Sequence, residues 1–112
     1  MALKPEILRY KKDFDRLYKK GRSAGDKYVV VFNIINGFEY SRKAFVASKK
    51  VGGAVKRNRA RRLMKESYRK LEGDIKPGRD ILMVARSGIT EAGYQEVEAS
   101  LRKALLKSGL LS

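Results

Sequence analysis

Apolar positions recur along the chain with two periods, and the switches between them mark out the elements. Tyr10, Phe14, Leu17 and Tyr18 lie at helical spacing and predict a first helix over about Lys11 to Lys20, aromatic on its apolar face and stopped by Gly21. "DKYVVVFNI" is β-branched and aromatic, and alternation places Tyr28, Val30 and Phe32 on one face and Val29 and Val31 on the other. Both faces are apolar, so both are expected to be covered. Asn36-Gly37 has the composition of a tight hairpin turn, which makes "YSRKAFVAS" the expected return strand. Gly52 and Gly53 break that strand, and a long helix then runs to about Leu71, where "EGDIKPG" ends it. "RDILMVAR" is a short apolar run bounded by charges, as expected of a strand buried on both faces. A last helix, about Tyr94 to Lys107, presents Tyr94, Val97, Leu101, Ala104 and Leu105 as one stripe. The pattern reads as a single domain over residues 1–112 of the α+β class, with helices layered on one small mixed sheet. Strand order is not legible in it.

The long helix carries the candidate chemistry. At 100° per residue, Ala60, Leu63, Met64, Ser67, Tyr68 and Leu71 gather on the expected buried side. Opposite them Asn58, Arg62, Lys65 and Arg69 fall in a line, flanked by Arg57 and Arg61 on one edge and Arg59 and Lys70 on the other. Between Lys49 and Lys70 there are ten Lys or Arg residues against one acid, Glu66, placed to serve Arg62 and Lys70. An ordinary solvated face interleaves the two signs, because opposite charges four apart attract by about 0.2–0.5 kcal/mol and like charges repel by as much. The face therefore tolerates a repulsion that an external anion would relieve. Arginine leads lysine between Arg57 and Arg69, and its planar fork takes phosphate bidentately and stacks on bases, which favours nucleic acid over a membrane surface. Asn58 can donate and accept at a base edge or bond its own backbone, and the two glycines before the helix can leave backbone N–H groups free for a phosphate or form a simple turn.

Composition narrows the classes further. The net charge is +15, from 27 basic and 12 acidic side chains, and a surplus of that size on 112 residues points to a polyanionic partner. Cysteine and histidine are both absent, which removes sulfur metal sites, Ser-His and Cys-His nucleophile pairs and the commonest neutral-pH base. A protein-borne nuclease would have to use carboxylates such as Asp13, Asp15, Asp74 or Asp80, and Asp13 and Asp15 point to different sides of a helix. No apolar run approaches a bilayer-spanning length and "MALKPEILRYKK" lacks a signal-peptide core, so a soluble, cytoplasmic protein is expected. A second surface is suggested by Phe14 and Tyr18, one turn apart and able to lie over Val30 and Phe32. The group is either ordinary core or an open aromatic groove of the kind that stacks single-stranded bases.

"SKKVGGAVKRNRARRLMKESYR" resembles the protein subunit of bacterial ribonuclease P in its strand ending in Lys, its Gly, its Ala54-Val55, and its Arg57-Asn58-Arg59 followed by Arg61-Arg62 along a helix. "YKKDFDRLYKKGRS" and "RDILMVAR" extend the resemblance over nearly the whole chain. It implies the order αβββαβα, with a left-handed βαβ crossover where general rules give the other hand. Since only two strands are clear before the basic helix, the third is expected to be short, split from Tyr40 to Ser48. The resemblance implies that a large RNA is the catalyst, removing the 5′ leader of precursor tRNA with Mg2+ held mainly by the RNA. No protein residue is then catalytic or a metal ligand, and no organic cofactor is needed. Arg57, Asn58, Arg59, Arg61, Arg62 and Lys65 would dock on ribonuclease P RNA, with Arg69 sharing their stripe. Phe14, Tyr18, Val30 and Phe32 would line the leader cleft, and Lys49 and Lys50 would touch phosphates between the two surfaces. The protein would act as a monomer, one per RNA, with precursor tRNA as second partner and no membrane. Arg61 stands where lysine is frequent, Lys65 where arginine is, and Tyr18 where phenylalanine is. A point charge therefore replaces a fork at position 65.

Overall fold

The computed structural model describes residues 7–111; residues 1–6, part of the amino-terminal stretch read above, lie outside them. The elements follow as α1 (Lys11–Lys20), β1 (Arg22–Gly25), β2 (Val29–Ile35), β3 (Arg42–Val46), α2 (Ala54–Leu71), β4 (Arg79–Ala85) and α3 (Tyr94–Lys107), with short 3-10 turns at Glu72–Asp74 and Ile89–Glu91. The α+β class, the order αβββαβα and the extent of all three helices agree with expectation.

The strands contradict the expected hairpin. Their order in the sheet is β1-β2-β4-β3, so β4 lies between β2 and the strand thought to pair with it. β4 runs antiparallel to β2, with Val31 opposite Met83, and parallel to β3, with Ala44 opposite Leu82. Asn36-Gly37 does reverse the chain: Gly37 has φ +80° and the Phe38 N–H donates to Asn36 Oδ1 at 2.8 Å. The connection then arches over the start of β4, where Gly78 passes so close that an added Cβ would stand 2.9 Å from the Phe38 carbonyl oxygen.

The third early strand is not a split of 40–48 either. It is β1, "RSAG", which has no apolar alternation and pairs along β2 from Arg22–Asn33 to Gly25–Val30. Tyr28 precedes β2 and leaves the Val30/Phe32 face, its N–H donating to Ser100 Oγ of α3 at 3.0 Å.

The sheet has two unequal faces. On one, Val29, Val31, Ile81, Met83 and Ala85 meet Ala60, Leu63, Met64, Tyr68 and Leu71 of α2 and Val97, Leu101, Ala104 and Leu105 of α3, forming the main core. Every residue placed on the buried side of α2 is buried. On the other face α1 packs on β2 and β4, and only Leu8, Leu17, Ala44 and Leu82 form a fully buried cluster there. Ten residues of helix cannot cover four strands, and among the described residues Phe14, Phe32, Ile34, Val46 and Val84 stay half-buried on this face. Gly21 turns α1 directly into β1; a Cβ there would lie 2.4 Å from the Leu17 carbonyl oxygen.

Candidate nucleic-acid interface

The cations of α2 are arranged as the helical period dictates. Asn58, Arg59, Arg62, Lys65, Arg69 and Lys70 are exposed, and Arg57 and Arg61 are half-buried at the edge of the face. Among the described residues no ion pair reaches any of them. Glu66 does not serve Arg62 or Lys70 as expected; Lys70 instead lies over the Tyr94 ring, 5.5 Å from its centre. Asn58 Oδ1 accepts from Arg61 Nη2 at 2.7 Å rather than from its own backbone, so it orients that guanidinium. Arg59 Nε donates to the Thr90 carbonyl at 3.4 Å, and Arg57 Nε is enclosed without a partner.

The helix begins abruptly. Gly52, at φ +142°, and Gly53 lead into a first turn with no side-chain cap and no acid. Lys49 and Lys50 are exposed in the turn after β3, which ends at Val46, rather than at the strand's own end. Val55, part of the Ala54-Val55 pair that carries the resemblance, is 84% exposed at the start of this cationic face.

The aromatic group lies on the open face of the sheet. Tyr18 is 49% exposed and meets Phe32 edge-on, ring centres 5.0 Å apart, while Phe14, Val30 and Phe32 are half-buried. Phe14 and Phe32 pack on the same buried cluster and Tyr18 meets Phe32, while Val30 stands on the same strand opposite Val84. Val46 and Val84 belong to the same half-covered surface and were missed, because their strands become neighbours of this face only through the sheet order.

The two surfaces are joined. A groove of about 500 Å3 wraps the outer edge of β3, where Ile7 bridges Lys43 and the Leu8 N–H donates to the Lys43 carbonyl at 2.9 Å. It is lined by Leu8, Phe14, Ala44 and Val46 on the α1 side and by Phe45, Arg61, Lys65, Tyr68 and Arg69 on the α2 side. Lys43 lies between them and donates to Glu72 at 2.8 Å. Lys49 and Lys50 are not among the groove residues.

α1 is fixed over its face by a charged cluster at the start of β4. Asp80, fully buried, accepts from Arg42 Nε at 2.8 Å, from Arg16 Nη2 of α1 at 2.9 Å and from Asn36 Nδ2 at 3.1 Å. Burial would raise this carboxyl, but the hydrogen bonds of Arg42 and Asn36 and the charge of Arg16 outweigh it and hold it below the usual carboxylate range. Asp80 in turn raises Arg42. Asp13 stands 3.6 Å from Arg42 and 3.8 Å from Arg16. Of the acids considered for catalysis, Asp13 and Asp80 thus act here as counterions and Asp15 stands 3.9 Å from Lys11. Among the described residues no three His, Cys, Asp or Glu side chains converge as a metal site.

A small α+β domain with a cationic helix beside a half-open aromatic sheet face is the class these features define. The sequence profile of the family Ribonuclease P matches residues 3–109. The ribonuclease P protein component of Alkaliphilus metalliredigens is 44% identical over 105 residues, 94% of this chain and 95% of that one, and that of Clostridioides difficile is 39% identical over 88% and 87%. Among solved structures, the RNase P protein of Staphylococcus aureus superposes with a TM-score of 0.87 at 28% identity, covering 97% of this chain and all of that one. That of Thermotoga maritima gives 0.81 at 33%, covering 91% and 96%. The chain belongs to the ribonuclease P protein family, and with it to tRNA processing as a component of an endoribonuclease complex. Among the described residues no helix is long and apolar enough to cross a membrane.

Proposed function

We propose that this chain is the RNA-binding protein subunit of a ribonuclease P in which the RNA is the catalyst, and that it helps release the 5′ leader of precursor tRNA. The observation that carries this reading is the groove at β3, lined by the cations Arg61, Lys65 and Arg69 of α2, none of them in an ion pair among the described residues, and by the half-buried Phe14 ring of α1. Arg57, Arg59, Arg61, Arg62, Lys65 and Arg69 face phosphates of the RNA subunit, Asn58 holds Arg61 for that contact, and Lys49 and Lys50 add charge at the mouth of the helix. Phe14, Tyr18, Val30 and Phe32 take unstacked leader bases, whose flat faces any sequence offers.

In this reading Mg2+ is held by RNA oxygens and supplies Lewis-acid stabilisation of the cleaved phosphodiester. The protein's part is to offset phosphate repulsion, so the two RNAs assemble at lower magnesium. One protein serves one RNA, in the cytoplasm where precursor tRNA is made. The test combines purified protein, bacterial ribonuclease P RNA and 5′-labelled precursor tRNA at a magnesium concentration where the RNA alone is nearly inert. Leader release only with both components is the expected result. Cleavage by protein without RNA, or tight RNA binding with no release, overturns the reading.

A further inference from the structure

A second cationic site lies at the other end of the sheet. Lys20 at the end of α1, Arg22 of β1, Lys76 before β4 and Arg79 at its start line one hollow of about 370 Å3, together with Asn33, Ile34, Ile35, Ser108 and Gly109. No acid is among the lining residues, and none of the four cations is in an ion pair among the described residues. The carboxyl end of α3 accounts for one: Arg22 Nη2 donates to the Lys107 carbonyl at 3.4 Å. Among the described residues Lys20, Lys76 and Arg79 have no ion-pair partner.

An independent observation comes from Asn33. The residue is only 7% exposed, yet its Nδ2 is enclosed with no acceptor. Buried amide donors are almost always satisfied, and a donor left over beside unpaired cations suits an anion or the water it orders. A phosphate in the hollow supplies charge for Lys76 and Arg79, and a turn of the Asn33 side chain toward it would give Nδ2 its acceptor.

We infer that this hollow binds a backbone phosphate of RNA, as a contact separate from the α2 face. β3 leads into α2 and runs parallel to β4, so the first turns of α2 lie near the Ala85 end of β4, where Arg59 reaches Thr90, and the hollow lies at the Arg79 end. Seven strand residues put roughly 20 Å between them. A folded RNA is gripped at two points rather than along one helix. The inference rests on the chain being an RNA-binding subunit.

The test measures affinity of the full-length protein for ribonuclease P RNA against salt, comparing wild type, Lys76→Gln/Arg79→Gln, the exposed pair Lys20→Gln/Lys76→Gln, and Arg62→Ala. Each lost phosphate contact flattens the slope of log affinity against log salt by about 0.7–0.9 and weakens binding about five-fold at 0.15 M salt. Both double variants are expected to do so at unchanged melting temperature. Inorganic phosphate titrated onto the free wild-type protein is expected to shift the Asn33 side-chain amide resonances, and not in Lys76→Gln/Arg79→Gln. A phosphate shift with an unchanged RNA slope makes the hollow a free-anion site and overturns the inference. A changed slope without any Asn33 shift removes the hollow as the seat of the contact and also overturns it. If Arg62→Ala flattens the slope and the double variants do not, this inference fails alone; if none does, the RNA-binding reading fails with it.

Discussion

Replacing Asp80 by Asn tests whether the charged cluster under α1 sets the geometry of the aromatic cleft. The change is isosteric, so its cost is electrostatic. Asp80 is fully buried, and the amide that replaces it turns one accepting oxygen into a donor facing Arg42 or Arg16. Removing one member of a buried pair costs about 3–5 kcal/mol where nothing else compensates. Here the Arg16 side chain is 42% exposed and Asp13 remains 3.6 Å from Arg42, so about 2–3 kcal/mol is the better figure. For a domain of this size 1 kcal/mol moves the melting temperature by about 4 °C, giving a drop of about 8–12 °C.

The pH dependence has a definite sign. The folded-state carboxyl is depressed, so its stabilisation is complete above the unfolded value near 3.9 and is lost as pH falls through the folded one. Wild type and variant should therefore differ fully at pH 6 and converge below about pH 4. Thermal unfolding followed by circular dichroism at several pH values reads both effects. In parallel, the variant should lose preference for leader-bearing precursor over mature tRNA, because α1 carries Phe14 and Tyr18. A drop under about 3 °C, or a gap that does not begin to narrow as the pH falls below about 4, would refute the assignment of Asp80 as the anchor.

Phe14→Ala should weaken binding of leader-bearing precursor by roughly the 1–3 kcal/mol of one stacked base, with mature tRNA little changed; equal loss for both in equilibrium binding would make Phe14 simply core. Arg62→Ala should flatten the salt dependence of RNA affinity by about 0.7–0.9, one phosphate's share, and an unchanged slope would take Arg62 out of the contact set. Gly21→Ala should cost about 1–3 kcal/mol through the clash with the Leu17 carbonyl, and a melting temperature within 2 °C of wild type would show that α1 exits by another path.

Much of the interface was legible because it is local. The buried and cationic sides of α2 follow from a period of 3.6 residues, and positions four apart are neighbours whatever the rest of the chain does. The same holds for the boundaries of α1 and α3 and for the reversal at Asn36-Gly37, which is a turn in the structure as its composition demands. β1 was not legible: four residues with no alternating apolar face offer no pattern, and "RSAG" is a strand only because β2 presents its edge to it. The alternation that put Tyr28 with Val30 failed one residue before β2 begins, where Ser100 of α3 takes its N–H.

The sequence by itself determined which residues are apolar, which are charged and on which side of each helix they stand. Tertiary structure alone decided what faces what across the sheet. Inserting β4 between β2 and β3 brought Val46 and Val84 beside Phe32, set Asp80 against Arg42 and Arg16 from 38 and 64 residues away, and gathered Lys20, Arg22, Lys76 and Arg79 around one hollow. The physical reason is that strand pairing is set by non-local hydrogen bonding and by which faces the helices can cover. Neither leaves a periodic mark in the chain, and among the described residues the apolar face under α1 stays partly uncovered because ten residues of helix are too short to span four strands.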